Sequence, residues 1–89
     1  MQLEFDPGKD LANQIKHGLS LTAAAHMDLS RAVTIEDSRF NYGEVRYISY
    51  APLNGRLHVL WYTRRGEVIR AIGLRKANNR EKKRFDQAS

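Results

Sequence analysis

The stretch that most constrains the fold is Leu57–Lys76, LHVLWYTRRGEVIRAIGLRK. Apolar residues alternate on both sides of Arg65-Gly66, the pattern of two strands folded back on each other. Arginines recur on the positions that carry this pattern. The hairpin therefore builds a sheet and also projects cations from a rigid platform. The expectation is that the rest of the chain covers one face of the platform and leaves the other open to a polyanion.

The chain's 89 residues suffice for one domain, residues 1–89, with a single small core. Cysteine is absent, which excludes disulfides and thiolate metal sites. There is no apolar run long enough for a membrane span and no export-signal pattern, so the expected location is cytoplasmic. Charge is uneven: Arg64–Arg84 carries nine Lys/Arg against two Glu, whereas the whole chain has 15 against 10. A local positive potential of this kind favours phosphate backbones or an acidic protein partner.

Along the chain, Gln2–Phe5 reads as a brief strand or extended lead-in. Asp6-Pro7 starts a helix, because the Asp carboxylate accepts first-turn amides and Pro7 lacks only an N–H that would be unpaired anyway. Leu11, Ala12 and Ile15 share the apolar face, with Lys9, Asp10, Asn13, Gln14 and Lys16 elsewhere. Gly18 ends the helix. Ser20 caps a second short helix with a small-residue face of Leu21, Ala24 and Ala25, ending near Asp28–Ser30. Strands are then expected at Ala32–Ile35, Val45–Ala51, Leu57–Arg64 and Glu67–Lys76, with 37–43 as the most mobile loop and Asn54-Gly55 as a turn. Asn78 and Glu81 are spaced as a reciprocal cap for a final polar helix over 79–87. The fold class is thus α+β: two N-terminal helices, a four-stranded, mainly antiparallel sheet and a short C-terminal helix.

A two-residue turn at Arg65-Gly66 and a four-residue one at Pro52–Gly55 place Arg46, Trp61 and Arg70 in one row across three strands. Tyr62 falls on the opposite face, between Val45 and Ile69. Unpaired guanidiniums beside an indole do not suit a closed core, so each arginine needs an open margin or a carboxylate, Glu44 and Glu67 being candidates. The row reads as a cradle for phosphate oxygens with an aromatic stacking surface, or as a cation–π sandwich that seals the sheet edge. Lys16-His17-Gly18 closes the first helix, where His17 either caps carbonyls or carries a proton near neutral pH. The three histidines lack metal-ligand spacing, so neither a metal nor another cofactor is expected.

Phe5-Asp6, Lys9, Asn13, Lys16-His17-Gly18, Arg46, Tyr62-Thr63-Arg64, Arg70, Arg75-Lys76-Ala77 and Glu81 form an ordered set. It resembles the BrnT toxins of BrnT/BrnA type II toxin–antitoxin modules over about Leu3 to Phe85. The resemblance implies a RelE-like fold and a metal-independent ribonuclease that inhibits translation and growth. It also implies neutralisation by a BrnA-like antitoxin, with operator DNA bound only through the complex. On that footing His17, Arg46 and Arg70 are assigned to catalysis, and Lys16, Trp61, Tyr62, Arg75 and Lys76 to RNA binding. Arg80, Lys83 and Arg84 are assigned to the antitoxin. The competing class is a basic nucleic-acid- or antitoxin-binding module without turnover.

Overall fold

Asn54 and Gly55 both adopt positive φ, 51° and 78°, as a two-residue hairpin turn requires. The computed structural model, which describes residues 2–88, builds five strands around this turn and the next. They are β1 (Gln2–Phe5), β2 (Val33–Asp37), β3 (Arg46–Leu53), β4 (Arg56–Arg65) and β5 (Val68–Lys76). Their order in the sheet is β1-β5-β4-β3-β2. β2 through β5 pair antiparallel, while β1 lies parallel to β5 through Gln2–Val68 to Phe5–Ala71. The expected four-stranded sheet is therefore a five-stranded mixed one, because the N-terminal lead-in joins it as a strand.

The N-terminal helices also differ from expectation. Only the first is an α-helix, α1 (Pro7–His17), started by Asp6, which accepts from the Lys9 amide at 3.0 Å, and stopped by left-handed Gly18. The second is a pair of 3-10 turns, Leu21–His26 and Leu29–Arg31. The Asp28 amide donates to the Pro52 carbonyl at 2.9 Å, which draws the chain onto β3 before a longer helix can develop. α2 (Asn79–Ala88) closes the chain and buries none of its residues fully. Its start has the expected reciprocal cap: Asn78 N–H donates to Glu81 Oε1 at 2.9 Å, and Glu81 N–H donates to Asn78 Oδ1 at 2.8 Å.

One sheet face holds the main core. Leu21, Ala24 and Met27 pack on Ala51, Leu53, Leu60, Tyr62, Ile69, Ala71 and Leu74. The other face has a smaller cluster, Ile48, Val59 and Ala77, with Tyr50, Leu57 and Trp61 at its margin.

Register departs from the expected rows in two ways. The turn before β4 is Asn54-Gly55 alone, with Leu53 opposite Arg56, so β3 slides by two residues and Ile48 meets Trp61. The β4–β5 connection is Gly66-Glu67, with Arg65 opposite Val68, and Thr63 meets Arg70. Extending the Tyr47–Tyr62 pairing by one residue brings Arg46 alongside Thr63. The two arginines thus share a row, but Thr63 stands between them and Trp61 lies one row away. A bulge opposite Trp61/Tyr62 then reverses the faces of the end of β5. Leu74 turns into the core opposite Leu60, and Gly73 lies beneath Trp61. A Cβ on Gly73 would approach Trp61 Cε3 to 3.3 Å, tighter than ordinary packing.

α1 docks with the side opposite to the one its apolar pattern predicts. Leu11 and Ile15 are 60% and 79% exposed. The buried residue is Asn13. Its amide donates to the Leu74 carbonyl at 2.9 Å and accepts from the Leu74 N–H at 3.0 Å, as a neighbouring strand would. It also donates to Leu19 O at 2.9 Å. β1 covers the outer edge of β5 only as far as Ala71, so this side chain satisfies backbone that β1 leaves open. Asp10 fastens the other end of the junction, accepting from Leu21 N at 2.7 Å and Ser20 Oγ at 3.0 Å.

Asn13→Ala leaves two buried backbone groups of Leu74 and the half-buried Leu19 carbonyl without their partner and should destabilise the fold by about 2–4 kcal/mol in urea titration. A loss under about 0.5 kcal/mol, typical of surface substitutions, would show that α1 is held by something else.

Candidate functional site

Lys9, Ala12, Asn13, Lys16 and His17 recur at the three- and four-residue spacing of one helical stripe. That stripe of α1 forms one wall of an open cavity of about 410 Å³. Arg46, Trp61 and Gly73 supply its floor from the sheet, and Asp37, Arg39 and Tyr42 supply the opposite rim. The cavity therefore collects cations from a helix end, a central strand and a loop.

His17 sits in the last turn of α1 beside Lys16. Its pKa is lowered from the usual histidine value of 6.5, chiefly by burial and then by the charges of Lys16 and Arg75. The imidazole is consequently neutral at physiological pH and able to accept a proton.

Arg46 is held by stacking rather than by hydrogen bonds. Its guanidinium carbon lies 3.9 Å from the Tyr42 ring centre. Its Nε is 3.4 Å from Glu44 Oε1, yet this buried atom makes no hydrogen bond. Tyr42 in turn donates its hydroxyl to Asp37 Oδ2 at 3.1 Å. Asp37 is buried and also accepts from Arg39 Nε, Nη2 and backbone N–H, at 2.8, 2.9 and 3.2 Å. These donors hold the Asp37 carboxyl far below the ordinary carboxylate range, the Arg39 side chain contributing most.

The other two arginines expected at the site, Arg70 and Arg75, are paired with carboxylates. Arg75 lies 5.0 Å from the Trp61 ring centre and pairs with Glu81 through two bonds, 2.7 and 2.8 Å. Arg70 donates to Glu4 Oε1 at 3.2 Å, so its partner is Glu4 and not the expected Glu67. Neither Arg70 nor Arg75 lines the cavity, although both lie on the sheet face that carries Trp61.

Other expected site residues fall elsewhere. Tyr62 is a core residue, 2% exposed, its hydroxyl 2.7 Å from Ser49 Oγ and its ring stacked on Tyr47, so it offers no surface to RNA. Lys76 pairs opposite His58, away from the cavity. His58 is buried against the Arg56 carbonyl and His26 is exposed. Arg80 and Arg84 line a separate groove of about 380 Å³ with Val33, Ile35, Tyr50 and Phe85. Lys83 is exposed on α2 outside that groove. Lys9, Asp37, Arg39 and Tyr42 are site residues that the alternating pattern did not mark. The helical spacing from Lys9 to Lys16 was the available signal for the first, and the loop carried none for the others.

The family model described as the ribonuclease toxin BrnT of type II toxin–antitoxin systems matches residues 5–81. The chain belongs to the BrnT family. The same fold appears in the 1.1 Å crystal structure of the Brucella abortus ribonuclease toxin BrnT, with a TM-score of 0.71 and 20% identity. That match covers 89% of this chain and 99% of the Brucella BrnT chain. No curated protein matches. Among the described residues of this BrnT-family chain, no helix is long and apolar enough to cross a membrane.

Because the Asp37 carboxyl is depressed in the folded state, its contribution to stability is complete above the unfolded value of about 3.8. It is lost as pH falls through the folded value. Asp10 and Glu81, lowered chiefly by the Leu21 amide and the Arg75 guanidinium respectively, act in the same direction. Thermal midpoints should decline slightly as pH falls through about 6.5, where unfolded His17 takes a proton that folded His17 resists, and fall further once the carboxylates titrate below about pH 5. Asp37→Asn should lower the neutral midpoint and flatten that fall. An unchanged acid profile would show that the Asp37 network contributes nothing to folding.

Proposed function

We propose that this chain is a ribonuclease toxin that cleaves RNA without a metal ion, inhibits translation and growth, and is neutralised by a cognate BrnA-like antitoxin. The supporting observation is that α1 and the sheet bring His17, Lys16 and Arg46 to one cavity, in a chain whose family is described as a ribonuclease toxin.

Each group has a part matched to its environment. The neutral His17 imidazole takes the proton of a ribose 2′-hydroxyl. The 2′-oxygen then bonds to phosphorus, the bond from phosphorus to the 5′-oxygen breaks, and the leaving oxygen takes a proton from water. The products are a 2′,3′-cyclic phosphate and a 5′-hydroxyl. Charge gathers on the nonbridging oxygens during this step, and preorganised donors there are the largest catalytic contribution such a site makes. Arg46 is suited to that place because it lines the cavity and stacking on Tyr42 orients its guanidinium, with Glu44 no nearer than 3.4 Å. Lys9 and Lys16 hold the flanking phosphates, and Trp61 offers its ring to a base. Arg75 acts from behind Trp61, while Arg70 and Lys76 contact the strand at a distance from the reacting phosphate.

The antitoxin contact is assigned to α2. Its Arg80 and Arg84 border the groove over β2, and Lys83 adds to the same basic helix, so an acidic, partly apolar segment fits there. Operator DNA is reached only through the antitoxin. A cytoplasmic location follows from this role.

Incubation of the purified chain with RNA in EDTA tests the reading. Fragments with cyclic phosphate ends are expected, and intact RNA with a gel shift would replace the enzyme by a binding module. Arg46→Ala should lower cleavage by about 10²–10³-fold, and Arg70→Ala by less. Cleavage should rise with pH through a midpoint below 6.5, the imidazole's ordinary value, and then level off. His17→Ala should abolish that limb. Full activity in both His17→Ala and Arg46→Ala would remove the proposed centre.

A further inference from the structure

We infer that Phe40, on the loop between β2 and β3, is a stacking subsite for one nucleobase of the bound RNA strand, an inference that rests on the RNA-cleavage reading above. Phe40 is 68% exposed. A single exposed apolar side chain is ordinary, but this ring is mechanically joined to the site. It stands edge-on to Tyr42, with ring centres 5.8 Å apart and planes at 71°. The Arg46 guanidinium lies on the same Tyr42 ring, at 3.9 Å from its centre. Tyr42 is thus the shared support of an exposed aromatic surface and a cation in the cavity.

The loop is also held in shape. Asp37 binds the backbone and side chain of Arg39 just before Phe40, and Tyr42 just after it. Gly43 N–H closes onto Asn41 Oδ1 at 3.1 Å. The Phe40 ring is therefore presented to solvent by a braced loop, just outside the cavity and against Tyr42 of its rim. A phosphate on Arg46 would carry its neighbouring base toward this rim. A flat π-face accepts any base, so the subsite adds affinity without strong sequence preference.

The test uses the whole chain and short 2′-O-methyl RNA oligonucleotides, which lack the nucleophile and stay intact. A single abasic position is moved along the strand and affinity is measured for wild type, Phe40→Ala and Phe40→Trp. In wild type, one abasic position should weaken binding about tenfold. Phe40→Ala should weaken the fully based strand by a similar factor and become insensitive to that position, while Phe40→Trp restores both affinity and sensitivity. If the Phe40→Ala and abasic losses multiply at every position, no base sits on the ring and the inference is overturned. If Phe40→Ala binds as wild type does while Arg46→Ala binds weakly, the inference alone fails and the ring is left for a protein partner. Failure of wild type to bind any oligonucleotide would overturn the RNA reading with it.

Discussion

The two-way pairing of the Asn13 amide with the Leu74 backbone decides where everything else in the cavity lies. β1 is too short to cover the whole outer edge of β5, and a bare, buried edge would leave backbone groups without partners. One side chain substitutes for the missing strand. Because Asn13 sits mid-helix, this contact fixes the rotation of α1 as well as its position. Lys9, Lys16 and His17 then share the side that faces Arg46 and Trp61. The neighbouring bulge completes the arrangement, since it swings Leu74 into the core and brings Gly73, with no side chain, beneath the indole.

Electrostatics then separate the arginines. Several guanidiniums lie on the same sheet face, but two of them are neutralised by Glu4 and Glu81. A carboxylate at hydrogen-bond distance competes with a phosphate for the same donors. Arg46 differs because it lines the cavity and an aromatic ring positions it, its own carboxylate neighbour Glu44 standing 3.4 Å away without a hydrogen bond. The same cationic neighbourhood that attracts a polyanion lowers the His17 pKa. Burial lowers it further and is the larger cause.

The strand hairpins, the Asp6 and Gly18 helix ends and the Asn78–Glu81 cap were legible because each depends on residues adjacent in sequence. The placement of Arg46 and Arg70 on one face was legible for the same reason, since two-residue shifts preserve side-chain alternation. Two features were not. The bulge in β5 is signalled only by the glycine beside it, which does not fix the register, and it moved Leu74 and Gly73 to faces opposite to those expected. The apolar pattern of α1 pointed to Leu11 and Ile15, whereas a buried polar contact over a distance of 61 residues turned those outward. The face of Tyr62 was legible, since alternation with Trp61 put it on the opposite side, where it is a core residue, although the resemblance assigned it to RNA. Membership of the BrnT family, by contrast, could be read from the ordered set of residues, which the family model matches over residues 5–81.

The central claim is that a ribose-phosphate chain lies between α1 and the sheet, and NMR titration with a non-cleavable 2′-O-methyl oligonucleotide tests it most directly. Side-chain signals of His17, Arg46 and the Trp61 indole should shift together with a single binding curve, while those of the Tyr62 core stay in place. Shifts confined to Arg80, Lys83 and Arg84 on α2, with His17 and Arg46 unmoved, would contradict the account.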